Sequence, residues 1–200
     1  MVRPRQVSDE EILEAARQCF IEHGPSVSIS VIADKVGVTQ PALSKRFGSK
    51  KNLLLEAMLP EAIPQWTLSL ADGPDERPFA EQLLEIGERG TEYFADLLPR
   101  LMVLRNARLD PSEIISRYEV FPPVVSLRAL SEWLERAYEK GMIREVDFTQ
   151  AAMSLMGALH IREFLSHIGR HAVPEPDYDS YAIQLVDLFM RGLQVESEKK

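Results

Sequence analysis

The sequence predicts an all-α protein. Apolar residues recur three and four apart through most of the chain, the spacing of one helical face. Ser, Thr, Gly and Pro fall where such faces begin and end. No convincing alternating run suggests a strand; "SVSIS" at 26–30 is short and better read as a helix start.

The first helix opens in "SDEEILEAARQCFIEHG". Ser8 and Glu11 have the spacing of a capping box, and Ile12, Ala16, Cys19 and Phe20 share one face. Gly24 and Pro25 end it. In the second, "SISVIADKVG", Ser28 is the cap, Ile29, Ile32, Ala33 and Val36 form the inner face, and Gly37 is the stop. A short third helix over about 40–47 turns Leu43 and Phe47 inward, with Val38 beside them. Thr39 caps it, and Pro41 is tolerated in a first turn. Gly48 closes it. Ser49 caps a fourth helix carrying Leu53, Leu54, Ala57 and Met58.

Beyond Pro60 and Pro64 the texture changes, and "LADGPDERPF" at 70–79 reads as a loop. Longer helices are expected at 78–97, 99–108, 111–119, 123–140, 147–168 and 178–195. They are separated by Pro99, Asp110-Pro111, Pro122-Pro123, Gly141 and "GRHAVPEPD" at 169–177. The expected division is an N-terminal domain over 1–56 and a C-terminal helical domain over 57–200. Two hundred residues suffice for both.

Composition narrows the function. The single cysteine, Cys19, precludes an intrachain disulfide, no apolar run approaches membrane-spanning length, and the N-terminus lacks a signal-peptide pattern. A cytoplasmic protein is expected. No nucleophile–base arrangement, phosphate-binding glycine loop or paired-cysteine motif stands out, so neither an enzyme nor a bound cofactor is expected. The net charge is −8 but unevenly spread: residues 1–59 hold eight cations against seven acids, and no acid lies between Asp34 and Glu56. Screening limits distant charges to about 8 Å at physiological salt, so the local balance governs an approaching polyanion.

Within that acid-free stretch lies "GVTQPALSKRF". Two short helices joined by a glycine turn outline a helix-turn-helix. With Leu43 and Phe47 anchoring the second helix, Gln40, Ser44, Lys45 and Arg46 are free to meet base edges and phosphates. Lys50 and Lys51 open the next helix, where the helix dipole disfavours cations and a phosphate partner would compensate. An acid here would face phosphate. "VRPRQ" at 2–6 can be read as a basic arm for a minor groove, or as a solvated terminus.

Residues 12–59 resemble the DNA-binding domain of the tetracycline-repressor (TetR) family. The matching pieces are "A…F…HG" in the first helix, "IADKVGV" in the second, the Gln40, Leu43 and Phe47 spacing in the third, and "SKKNLL" opening the fourth. The resemblance implies a homodimer that binds double-stranded DNA at a palindromic operator and releases it on binding a small-molecule effector. It carries over best to Thr39, Gln40 and Lys50, and less directly to Pro41, Ser44, Lys45, Arg46 and Lys51. The family often has aromatics where this chain has Ser44 and Arg46.

For the C-terminal domain the expected pocket lining is Phe94, Met102, Arg105, Trp133, Met153, Met156, His160 and Phe164, mostly adaptable apolar side chains. The expected dimer interface lies on the last two helices, at Ala152, Leu155, Gly157, Leu159, Tyr181, Leu185, Leu188 and Phe189. A rival reading is a helical-bundle metalloenzyme using His160, Glu163 and His167, with His171 beyond, although no matching Glu-x-x-His pair occurs. A regulator without a small-molecule effector is the nearer alternative.

Overall fold

Helix boundaries follow local chemistry. The computed structural model describes residues 7–168 and 178–193; the basic arm, the 169–177 loop and His171 lie outside them. In chain order the helices are α1 (Asp9–His23), α2 (Ile29–Val36), α3 (Gln40–Phe47), α4 (Lys50–Met58), a 3-10 helix (Gln65–Leu70), α5 (Phe79–Asn106), α6 (Pro111–Ile115), α7 (Pro122–Glu139), α8 (Phe148–Ile168) and α9 (Tyr178–Leu193). The described residues contain no strand.

Each of the first four helices starts at a hydroxyl cap. Ser8, Ser28, Thr39 and Ser49 accept from Glu11, Val31, Ala42 and Asn52 backbone N–H groups, and Ser8 and Glu11 complete the capping box. Gly37 closes α2 at φ 72°, ψ 31°, a left-handed conformation that glycine adopts without a Cβ penalty.

Two compact units form. The first comprises residues 1–60 and 99–117, the second 61–98 and 118–200. This differs from a single cut after residue 56, because 99–117 returns to the N-terminal core. Val103 and Leu104 are buried there with Ile12, Phe20, Ile32, Leu43, Phe47 and Met58. Arg100 explains the return chemically. It is buried, and it donates through Nε to the Met58 carbonyl at 3.1 Å and through Nη2 to the Leu59 carbonyl. Those carbonyls end α4 and have no partner in the next turn, so a guanidinium satisfies them.

Pro99 does not break the helix as expected. It lies inside α5, where it removes one backbone donor. Burial of Leu97, Leu98, Val103 and Leu104 on either side holds the helix together through it. Helix α6 is one turn long and covers less than the expected 111–119.

The second unit has its own core, built on Leu83, Leu130, Trp133, Leu134, Leu155 and Leu159. Phe79 stacks on Trp133 with centroids 5.2 Å apart. The sequence signals no element at the 3-10 helix. It is held by Trp66 and Leu70 in the core and by Arg136, which donates to the Leu70 and Ala71 carbonyls at 2.6 and 3.0 Å.

Candidate nucleic-acid interface

Helix α3 separates anchoring from presentation. Leu43 and Phe47 are buried against α1, α2 and α4, while Gln40, Pro41, Ser44 and Lys45 are exposed. Gln40 and Ser44 lie four residues apart and therefore on one face. Thr39 Oγ1 accepts from the Ala42 N–H at 3.3 Å, which fixes where the helix begins. At about 1.5 Å per residue an eight-residue helix is roughly 12 Å long, a fit for the width of a DNA major groove.

The cations around α3 are not equivalent. Lys45 is exposed on the helix, and Lys50 is partly buried at the first position of α4. Arg46 is turned back to the start of α1: its Nη1 donates to the Val7 carbonyl at 2.6 Å and lies 3.4 Å from Asp9 Oδ1. Lys51 meets Glu113 of α6, Nζ to Oε2, at 2.6 Å. Sequence spacing gave no signal for Arg46 or Lys51, because both partners are distant in the chain.

The family profile "Bacterial regulatory proteins, tetR family" matches residues 12–57, from the first turn of α1 into α4. Over those residues the chain is similar to the TetR family. Among its relatives, the transcriptional repressor BdcR of Escherichia coli K12 is 35% identical over 86 residues, which span 42% of this chain and 43% of BdcR. The repressor AcnR of Corynebacterium glutamicum is 28% identical over 141 residues, 68% of this chain and 69% of AcnR. The chain thus spans less than half of the first of these relatives and about two thirds of the second. In fold it resembles the crystal structure of a TetR-family transcriptional regulator from Mesorhizobium loti, with a TM-score of 0.71 at 22% identity, covering 94% of this chain and 96% of that one.

The expected pocket residues are only partly gathered. Phe94 lies edge-on to His160 with centroids 5.6 Å apart, and His160 stacks on Phe164 at 6.0 Å. Trp133 and Met156 belong to the same apolar cluster. Met153 instead faces outward at 48% exposure. Met102 and Arg105 belong to the first unit, and Arg105 is exposed. Their placement follows from α5 running through Pro99.

The expected dimer residues also divide. Ala152, Leu155, Leu159 and Leu185 are buried in the core of their own chain, because they lie on the inward faces of α8 and α9. Tyr181 and Phe189 are half-buried; the Tyr181 hydroxyl donates to the Ala158 carbonyl at 2.7 Å, and burial raises its pKa. Gly157 and Leu188 are exposed, and on the same two helices Met153, Ile161, Leu165 and Ile183 are exposed too.

His160, Glu163 and His167 do not form a metal site. Among the described residues no group of three or more His, Cys, Asp or Glu is placed to hold a metal ion. His167 Nδ1 lies 2.9 Å from the backbone carbonyl of Glu163, which engages that nitrogen within the helix. No described helix is long and apolar enough to cross a membrane.

Proposed function

We propose that this chain is a DNA-binding transcriptional repressor. It acts as a homodimer on a palindromic operator and leaves it when a small-molecule effector binds the second unit. The observation that carries the reading is α3: its apolar side is fully engaged, and its opposite side presents Gln40, Ser44 and Lys45 in a region free of exposed acids from Lys35 to Leu55. Gln40 is the base reader, since it enters the groove first and an amide can pair with adenine through two hydrogen bonds. Lys45, Lys50 and Lys51 meet phosphates. Arg46 orders the start of α1 and contributes charge from there.

The dimer reading rests on exposed apolar side chains. Met153, Gly157, Ile161 and Leu165 are four apart on α8, and Ile183 and Leu188 stand at 56% and 66% exposure on α9. Exposed apolar side chains on these two helices favour a like surface on a second copy about a two-fold axis. The test is binding of the purified protein to its own flanking promoter DNA, with and without candidate ligands. Two half-sites about 34–36 Å apart are expected. Equal affinity for promoter and random DNA at every salt concentration would sink the reading.

A further inference from the structure

The point where the chain enters α1 is tied to α3. Val7 packs against the first unit's core, in the cluster that holds Ile12 and Phe47. Ser8 then fixes the first turn of α1 through its capping box with Glu11. Arg46, in the last turn of α3, donates from Nη1 to the Val7 carbonyl at 2.6 Å, and the same nitrogen lies 3.4 Å from Asp9 Oδ1. Residues 1–6 therefore join the fold within one side chain's length of α3.

Their sequence is MVRPRQ, with Arg3 and Arg5 and no acid. The first turn of α1 is the opposite, since Asp9, Glu10 and Glu11 are all acidic. Acids suit a helix N-terminus but repel phosphate, so α1 itself is a poor seat for the DNA backbone. Arg46 offsets one of those charges, at Asp9. Six residues reach at most about 20 Å, enough to pass from the major groove that takes α3 to the adjoining minor groove. That groove is only about 6 Å wide, and its negative potential draws arginine, most strongly where A·T pairs narrow it.

We propose that Arg46 is a positioning residue for a second DNA contact: it holds the root of residues 1–6 beside α3, so that Arg3 and Arg5 enter the minor groove flanking the base pairs that α3 reads. The proposal rests on the DNA-binding reading above and adds a specificity to it, a preference for A·T pairs at the flank. Basic arms of other helical DNA readers use the minor groove in this way. Arg46 acts through the Val7 carbonyl and touches no base. Its guanidinium is engaged within the chain, whereas Lys45 on the same helix is exposed to meet phosphate.

The test uses the full chain and duplexes that it selects from a random library. The pairs flanking each half-site are then made A·T, G·C or inosine·cytosine. Inosine lacks the 2-amino group, so its pair presents the G·C pattern in the major groove and the A·T pattern in the minor groove. Wild type should bind A·T and inosine flanks alike, and G·C flanks at least about fivefold more weakly. The double substitution Arg3→Ala, Arg5→Ala should lose that preference and keep the sequence preference of α3. Arg46→Met should lose most of it as well, and adding it to the double substitution should cost no further flank preference. Arg46→Lys, which keeps a donor for the Val7 carbonyl, should retain it. Arg46 is exposed, so neither substitution disturbs core packing, and thermal melting checks this. Arg46→Met that weakens every duplex alike while the flank preference persists overturns the proposal, as does an Arg46→Met protein that melts early and binds no duplex. So does a wild type indifferent to the flank, or one that treats inosine flanks as G·C, which would place the reading in the major groove. If wild type selects no sequence at all, the regulator reading falls; if it selects a half-site without a flank preference, this inference alone falls.

Discussion

Lys51 Nζ lies 2.6 Å from Glu113 Oε2, so a cation read as a phosphate contact is held by an acid of the same unit. Both side chains are about half exposed, 50% and 44%, and such a pair contributes only about 0–1 kcal/mol. A phosphate can therefore displace Glu113 at small cost. Glu113→Gln should raise affinity for all DNA sequences alike, by about fivefold or less, with the gain shrinking as salt rises. Fluorescence titrations on operator and random duplexes check this; unchanged or lowered affinity at low salt would show that Lys51 does not reach phosphate.

Gln40 and Lys50 should fail differently when truncated. Lys50→Ala should weaken binding to every sequence and reduce the slope of log affinity against log salt by about one. Gln40→Ala should cost about 1–3 kcal/mol on the best site and relax preference at one position per half-site. A salt titration on operator and random DNA separates the two. A specificity change from Lys50→Ala with an unaltered slope contradicts the division of roles.

Leu188→Glu tests the dimer. This side chain is 66% exposed, so a carboxylate there disturbs little within one chain. Across a two-fold interface it would place charge in an apolar contact. Light scattering should report a folded monomer that binds DNA weakly. A stable dimer would place the interface elsewhere.

Leu43→Ala tests the support of α3. Leu43 is 1% exposed, and removing a buried leucine side chain typically costs about 2–5 kcal/mol. Denaturant unfolding should shift accordingly, and DNA binding should fall even where most of the protein stays folded. A shift under about 1 kcal/mol would mean that the α3 anchor is not packed as described.

Asp110 gives a pH dependence with a definite sign. Its carboxylate accepts the Ser112 N–H at 2.9 Å at the start of α6, and that bond, helped by the Lys51 charge, holds its pKa below the ordinary value. The contribution is present above the unfolded-state pKa and is lost as pH falls through the lowered folded value. Asp110→Asn keeps a capping side chain but does not titrate. Its stability should fall less steeply between about pH 5 and pH 2, read by urea midpoints. Parallel curves for the two proteins would refute the assignment.

The N-terminal unit was legible because its signals are local. Ser8, Ser28, Thr39 and Ser49 sit one turn before apolar faces, and each proves to be a cap. What was missed is long-range. Arg100 reaches carbonyls 41 and 42 residues away, and nothing in its own neighbourhood announces that. Pro99 was weighed by its local cost alone, whereas flanking burial of Leu97, Leu98, Val103 and Leu104 overrides it. On α8 and α9 the sequence shows that more than one face is apolar, but not which face turns inward. That is why Leu155 and Leu159 were read as interface and Met153 as pocket.

The division of labour on α3 has an evolutionary consequence. Its start is set by Thr39 and its seat by Leu43 and Phe47, so folding asks little of Gln40, Ser44 or Lys45. Surface changes at such positions usually alter stability by no more than about 0.5 kcal/mol. Duplicated copies of the gene could therefore drift to new operators by changing these exposed residues alone, without first acquiring a compensating stabilising mutation.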